Sequence, residues 1–277
     1  MKRAFPGLLV AAAAAVALGF LVLPIAAIFL RVPPGRLLHQ LTTPIVTDAL
    51  IVSFKTTAIA QVLILVFGTP LAWLIASRRF RGRSLMLTLV ELPLVLPPAV
   101  AGIGLLATFG KLGLLGGTLD FLGLQVGLGT QTAVVLAVAY VASPLYVRQA
   151  IAAFEATDPT LAAASRTLGA GPGRTFFRVV LPLARGGLIA GLALSFARGL
   201  GEFGATIMFA GSLQKVTQTL PLAIYAEFAV NFDATLAMSG VLVLISIVLL
   251  AGLHLGLSWQ RSDSTRSPFF FGPSSSG

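Results

Sequence analysis

Apolar residues in this chain run in long blocks, broken by short polar or Gly-rich stretches. Six blocks, at about 7–30, 51–76, 85–109, 130–153, 184–211 and 234–258, reach the roughly 20 residues that a helix needs to cross a bilayer. The pattern predicts an all-α membrane protein with six transmembrane helices. Most connections are short, but the one between the fourth and fifth spans, 154–183, carries helix signals of its own. The membrane domain is expected over 1–260. Residues 261–277, rich in Ser and Pro, read as a disordered tail.

Composition agrees. Of the 277 residues, 57% are hydrophobic and only 10% charged, too few charges to cover the outside of a water-soluble fold of this size. The net charge of +10 could suggest nucleic acid, but the basic residues form no dense stripe interleaved with aromatics. Topology accounts for them better. With the N-terminus in the cytoplasm, 13 of the 19 Lys and Arg fall on the cytoplasmic side, 5 on the other side, and Arg198 lies within a span. The positive-inside rule then puts both termini in the cytoplasm. The first block follows Lys2-Arg3 but is longer than the core of a cleaved signal peptide, so it is expected to be a retained span.

The segment 154–183 is the most informative. Asp158 is placed to cap a helix, and Pro159 takes the first helical position, where its missing N–H costs nothing. The helix should run to Leu168, with Gly169 ending it in the left-handed conformation. Leu161, Ala164, Ser165 and Leu168 fall on one face. Gly171-Pro172-Gly173 makes a turn, and a second helical stretch runs from Arg174 towards Pro182. A plain connector needs only a few residues. A capped helix with an apolar stripe instead suits docking to a cytoplasmic protein.

Within the fifth span, Arg198 and Glu202 stand four residues apart, and Ser195 and Thr206 extend a polar stripe. Such residues either line a translocation route or neutralise each other and lock helices together. Gly187, Gly191, Ser195 and Gly199 form a small-residue face suited to close helix packing, within the chain or with a second copy. Pro93, Pro97 and Pro98 should kink or break the third span, as a gate element or for packing. Glu91, near its inner part, could pair with Arg78, Arg79 or Arg198.

Several chemistries are excluded. There is no Cys, so thiolate chemistry and Cys-ligated metals are out. His39 and His254 lack metal-ligand spacing, and no metal site is expected. Gly169–Thr175 fails the phosphate-loop pattern, since residue 168 is Leu and residue 174 is Arg. No Ser/His/acid set is present, and no catalytic residue is assigned.

The 154–183 segment resembles the cytoplasmic signature loop of ABC-type importer permeases. Gly169, Val179 and Leu181-Pro182 take the family's Gly, aliphatic and Leu-Pro positions, and Ala164 and Ser165 its two Ala positions. The family's Glu position holds Ala163, a departure that removes any ion pair the Glu would make. Glu91–Gly102, Arg198–Gly211 and Thr217–Tyr225 resemble the molybdate permeases, and the Gly-Glu-Phe-Gly-Ala core is also similar to sulfate permeases. The resemblance implies a permease subunit that imports molybdate, and tungstate along with it, and that is not itself an enzyme. It implies a second copy of the chain and two cytoplasmic ATPase subunits that use ATP and Mg. It also implies an oxyanion-binding protein outside the membrane, and residence in a bacterial or archaeal inner membrane. Asp158, Pro159, Leu161, Ala163, Ala164, Ser165, Arg166, Leu168 and Gly169 would then dock the ATPase. Ser195, Arg198, Glu202, Thr206, Pro97 and Pro98 would line or gate the path. This chain is expected to bind no cofactor and no nucleic acid, with lipid as its surroundings. The rival readings are a sulfate or thiosulfate permease and an ion-gradient-driven carrier.

Overall fold

The computed structural model describes residues 4–31 and 33–264. Among them there are helices and no strands. In chain order they are α1 (Ala4–Arg31), α2 (Pro34–Leu41), α3 (Pro44–Ser77), α4 (Arg83–Val95), α5 (Pro98–Phe109), α6 (Gly116–Phe121), α7 (Gln131–Glu155), α8 (Pro159–Thr167), α9 (Pro172–Thr175), a π-helical turn Phe176–Val180, α10 (Leu181–Leu200), α11 (Gly204–Ala210), α12 (Leu220–Glu227) and α13 (Phe232–Ser264). Five helical stretches are long and apolar enough to cross a membrane, and α4 with α5, bent by 113°, supplies a sixth if counted as one span. The helix α13 continues past the expected boundary at 260. The rest of the expected disordered tail, 265–277, lies outside the described residues.

The bundle is built around α7. Its 25 residues extend about 37 Å at 1.5 Å per residue, enough for a hydrocarbon core of about 30 Å. It packs on α3 along one flank and on α10 along another. One core joins Ala60, Leu105, Val134, Val138 and Phe209. A second, nearer the 154–183 loop, joins Ile75, Tyr146, Phe154, Val180 and Leu188. By contrast, α1 packs on α13 and keeps every side chain from Leu9 to Ile25 exposed. Such a helix suits a lipid or protein environment, not water.

The small-residue face of α10 resolves into packing within the chain. A Cβ on Gly187 would lie 2.5 Å from that of Ala153, and one on Gly199 would lie 2.8 Å from a methyl of Val138. Both neighbours belong to α7, so these glycines let the two helix backbones close on each other.

Two expected spans are interrupted. In the third, Leu96 (ψ 135°) and Pro97 (ψ 131°) are extended, as residues preceding a proline are driven to be. The chain therefore turns sharply there, whereas Pro93 stays inside α4. The fifth was expected as one helix over 184–211. Instead α10 ends at Leu200 and α11 starts at Gly204. Upstream, the π-helical turn contains Arg178, whose carbonyl the Pro182 ring would meet in a regular helix. Widening the turn relieves that clash.

The break in the third span seats α5 on α11. A Cβ on Gly102 would lie 2.6 Å from the Ala205 carbonyl oxygen and 2.9 Å from its Cα, while one on Gly104 would meet nothing within 4 Å. Backbone atoms cannot rotate aside. Gly102→Ala is therefore expected to lower thermal stability in detergent by about 1–3 kcal/mol. On the same helix, Gly104→Ala should gain up to about 1 kcal/mol from helix propensity. Equal melting temperatures for the two variants would refute the close approach.

Candidate functional site

The loop helix α8 is defined at both ends by local chemistry. Asp158 Oδ1 accepts hydrogen bonds from the Thr160 amide at 2.8 Å and the Thr160 hydroxyl at 2.7 Å. The hydroxyl and then the amide hold the Asp158 carboxyl below its ordinary value of 3.8. At the other end Leu168 caps the helix and Gly169 takes φ +85°. The Gly169 amide donates to the Arg166 carbonyl at 2.9 Å and the Ala170 amide to the Ser165 carbonyl at 3.1 Å. This pair of bonds is the Schellman closure, which needs a residue in the left-handed region.

The expected apolar face divides. Leu161 and Leu168 are exposed, Leu168 at 89%, and so are Ala163, Ala164 and Arg166. Ser165 turns inward, its hydroxyl 3.3 Å from that of Thr175, and Ala162 packs into the second core. The helix is thus braced from above and presents two bare leucines below.

Because the Asp158 carboxyl is lowered, its cap is fully formed above the ordinary carboxylate range and is lost as pH falls through the lowered value. The protection factor of the Thr160 amide, measured against the intrinsic exchange rate at the same pH, should therefore be high at neutral pH and fall on acidification below about pH 4. Asp158→Ala should show low protection of this amide at both pH values. Exchange in the variant matching the native protein at pH 7 would refute the cap.

In the membrane core, Glu202 lies just past the end of α10. Its Oε2 pairs with Arg198 Nη1 at 2.7 Å, and its Oε1 accepts the Ala205 amide at 2.8 Å. The Glu202 side chain is 1% exposed and that of Arg198 33%. The stripe expected on one helix is therefore spread over a helix end, a turn and a second short helix. Ser195 is buried and donates to Gln61 Oε1 at 2.9 Å. Thr206 is buried, and its hydroxyl has no partner. The structure brings Pro98 against Gly204, beside Glu202, with Pro97 and Pro98 themselves exposed. Glu91 pairs with none of its three expected arginines; its partner is Arg148 on α7, at 3.4 Å.

Sequence reasoning passed over a polar stripe on α3: Ser53, Thr56, Thr57 and Gln61, all buried. Its spacing of three and four residues inside an apolar span was the available signal. Ser53 accepts the Leu220 amide at 2.7 Å, tying α12 to the bundle. Among the described residues, no group of His, Cys, Asp or Glu could hold a metal.

Residues 68–261 match the family described as "Binding-protein-dependent transport system inner membrane component". The chain belongs to this family. The inner membrane component is 42% identical over 234 residues to the molybdenum transport system permease protein ModB of Mycobacterium tuberculosis, covering 84% of this chain and 88% of that protein. It is 39% identical to a probable molybdenum ABC transporter permease protein of Haloferax volcanii, covering 87% of each. Among solved structures, a bacterial alginate ABC transporter in complex with its periplasmic protein matches with a TM-score of 0.66 at 17% identity, covering 95% of this chain and 96% of that one. A likeness at that identity concerns the fold. The chain is thus a multi-pass membrane permease component of an ABC transporter.

Proposed function

We propose that this chain is the membrane-spanning subunit of an ATP-driven importer that carries molybdate, and tungstate as its close analogue, into the cytoplasm. The observation that carries the substrate is the 42% identity over 84% of the chain to a molybdenum transport permease. The subunit works as a homodimer with two cytoplasmic ATPase subunits, which bind ATP and Mg, and with an oxyanion-binding protein outside the membrane. Both termini lie in the cytoplasm, as the excess of basic residues there supports.

The exposed leucines of α8 suit a groove on the ATPase. Closure of the two ATPases draws the α8 helices together, and the bracing of Ser165 and Ala162 passes that movement to α10 and α7. The spans then switch from inward-open to outward-open and accept the anion from its binding protein. Few carboxylates line the spans, and the buried Glu202 is neutralised by Arg198, so an oxyanion meets little repulsion.

The test is uptake into vesicles holding the reconstituted complex, with labelled molybdate and competing tungstate or sulfate. ATP-dependent uptake suppressed by tungstate but not by sulfate is expected. Uptake of sulfate alone would transfer the reading to a sulfate permease, which the Gly201–Ala205 core also resembles. Transport by this chain without ATP or an ATPase would overturn the importer reading altogether.

A further inference from the structure

A cleft of about 700 Å³ opens between the loop helix α8 and the ends of α3, α4 and α7. Arg78, Arg79, Arg83 and Arg166 all border it. Arg83 is occupied: its Nη2 pairs with Glu155 at 2.6 Å and its Nε donates to the Ile75 carbonyl at 3.0 Å. Among the described residues, Arg78, Arg79 and Arg166 have no acidic partner. Ala163 also borders the cleft, and its methyl group leaves the space open. The cleft therefore carries unneutralised positive charge in planar forks suited to phosphate oxygens.

The wall of this cleft is shared with an apolar groove. Trp73 borders both, held between the rings of Phe154 and Phe176 at centroid distances of 5.3 Å. Beyond Trp73, a groove of about 690 Å³ runs between α3 and α10, lined by Val66, Phe177, Leu188, Ile189 and Leu192. The single polar pair at its wall, Thr69 and Tyr146, is satisfied internally at 2.6 Å. A basic cleft at the end of a span, a tryptophan at the border and an apolar channel along the span match, in order, a phosphate head, its glycerol region and an acyl chain.

We propose that this cleft and groove together seat one anionic phospholipid of the inner leaflet, its phosphate held by Arg78, Arg79 and Arg166 and one acyl chain lying beyond Trp73. A soluble anion would fill the cleft but leave the groove bare. An acidic side chain from a cytoplasmic protein would do the same. The lipid accounts for both halves, and its occupancy braces α8 against α3 whatever substrate the spans carry.

The test uses the full chain in nanodiscs with Trp259→Phe, which leaves Trp73 as the single tryptophan of the two in the sequence. Quenching of Trp73 is followed as phosphatidylglycerol with brominated acyl chains replaces unbrominated phosphatidylcholine, against the same titration with brominated phosphatidylcholine. The expected result is quenching that saturates at a low mole fraction of phosphatidylglycerol. The preference over phosphatidylcholine should fall about fivefold for each of R78Q, R79Q and R166Q.

A second variant, Ala163→Glu, removes no arginine and places a carboxylate one turn before Arg166, facing the cleft. It should abolish the preference by internal competition, which a folding defect in the arginine variants would not mimic. Equal quenching by the two lipids, or a preference that survives both the triple arginine variant and Ala163→Glu, overturns the proposal. Loss of the preference on adding inorganic phosphate at constant ionic strength assigns the arginines to a soluble anion and overturns the lipid as occupant.

Discussion

Gly169→Val is expected to cut ATP-dependent uptake by the reconstituted transporter roughly tenfold or more, since the left-handed backbone costs an L-residue about 1–2 kcal/mol and a β-branched one more. Space does not decide the outcome, because a Cβ at Gly169 would meet nothing within 4 Å. Conformation does: at φ +85° valine is driven to leave the left-handed region. Doing so breaks the two hydrogen bonds that close α8, from Gly169 to Arg166 and from Ala170 to Ser165. A helix of nine residues is too short to hold itself together, since isolated helices below about 12–15 residues are marginal. The loss spreads to Leu168 and Leu161, the two exposed side chains proposed to meet the ATPase. Gly169→Asn is the control, because asparagine tolerates the left-handed region; it should retain most of the uptake. Full uptake by the valine variant, or equal loss in both, would remove α8 from the coupling path.

The ends of α8 could be read in advance because they are set by neighbours in the chain. Asp158-Pro159 and Gly169 act within one turn, and so do the tandem prolines that bend the third span. The break in the fifth span was set only in part by such neighbours. No proline stands at 201–203, but Gly199, Gly201, Glu202 and Gly204 interrupt the apolar run, a signal that the expectation of one helix over 184–211 passed over. The Glu202 carboxylate takes the Ala205 amide three residues on, a local contact, while α5, a hundred residues away in sequence, presses on Gly204 and Ala205. The same holds for pairings. Polar residues on α3 were visible by their spacing, but only the packed bundle brings Gln61 to Ser195 and Ser53 to the Leu220 amide. Glu91 had arginines near it in sequence, yet found Arg148 because α4 lies along α7. Local chemistry was legible and tertiary pairing was not. The membrane core, where the polar contacts are mostly tertiary, is where the sequence-based expectations needed most correction.

That core supplies the other large effect. Arg198→Ala is expected to destabilise the protein by about 3–5 kcal/mol, the usual cost of stripping one partner from a buried pair. This is a large part of a total stability of about 5–15 kcal/mol. The asymmetry of burial sets the order. Glu202, 1% exposed, cannot reach water when its partner goes; Arg198, 33% exposed, can turn outward when Glu202 is neutralised. Glu202→Gln also keeps an oxygen for the Ala205 amide, so it should cost less, about 1–3 kcal/mol. The double variant Arg198→Met with Glu202→Gln removes both charges and should recover most of the stability lost in Arg198→Ala. Uptake then separates the two roles of the pair. A lock between helices needs no charge once the packing is restored, and uptake would return with stability. A guanidinium that faces the anion's route has no neutral substitute, and uptake would stay low in a fully stable protein. The partial exposure of Arg198, with Glu202 sealed behind it, supports the second outcome. Recovery of both stability and uptake in the double variant would reduce the pair to a structural clasp.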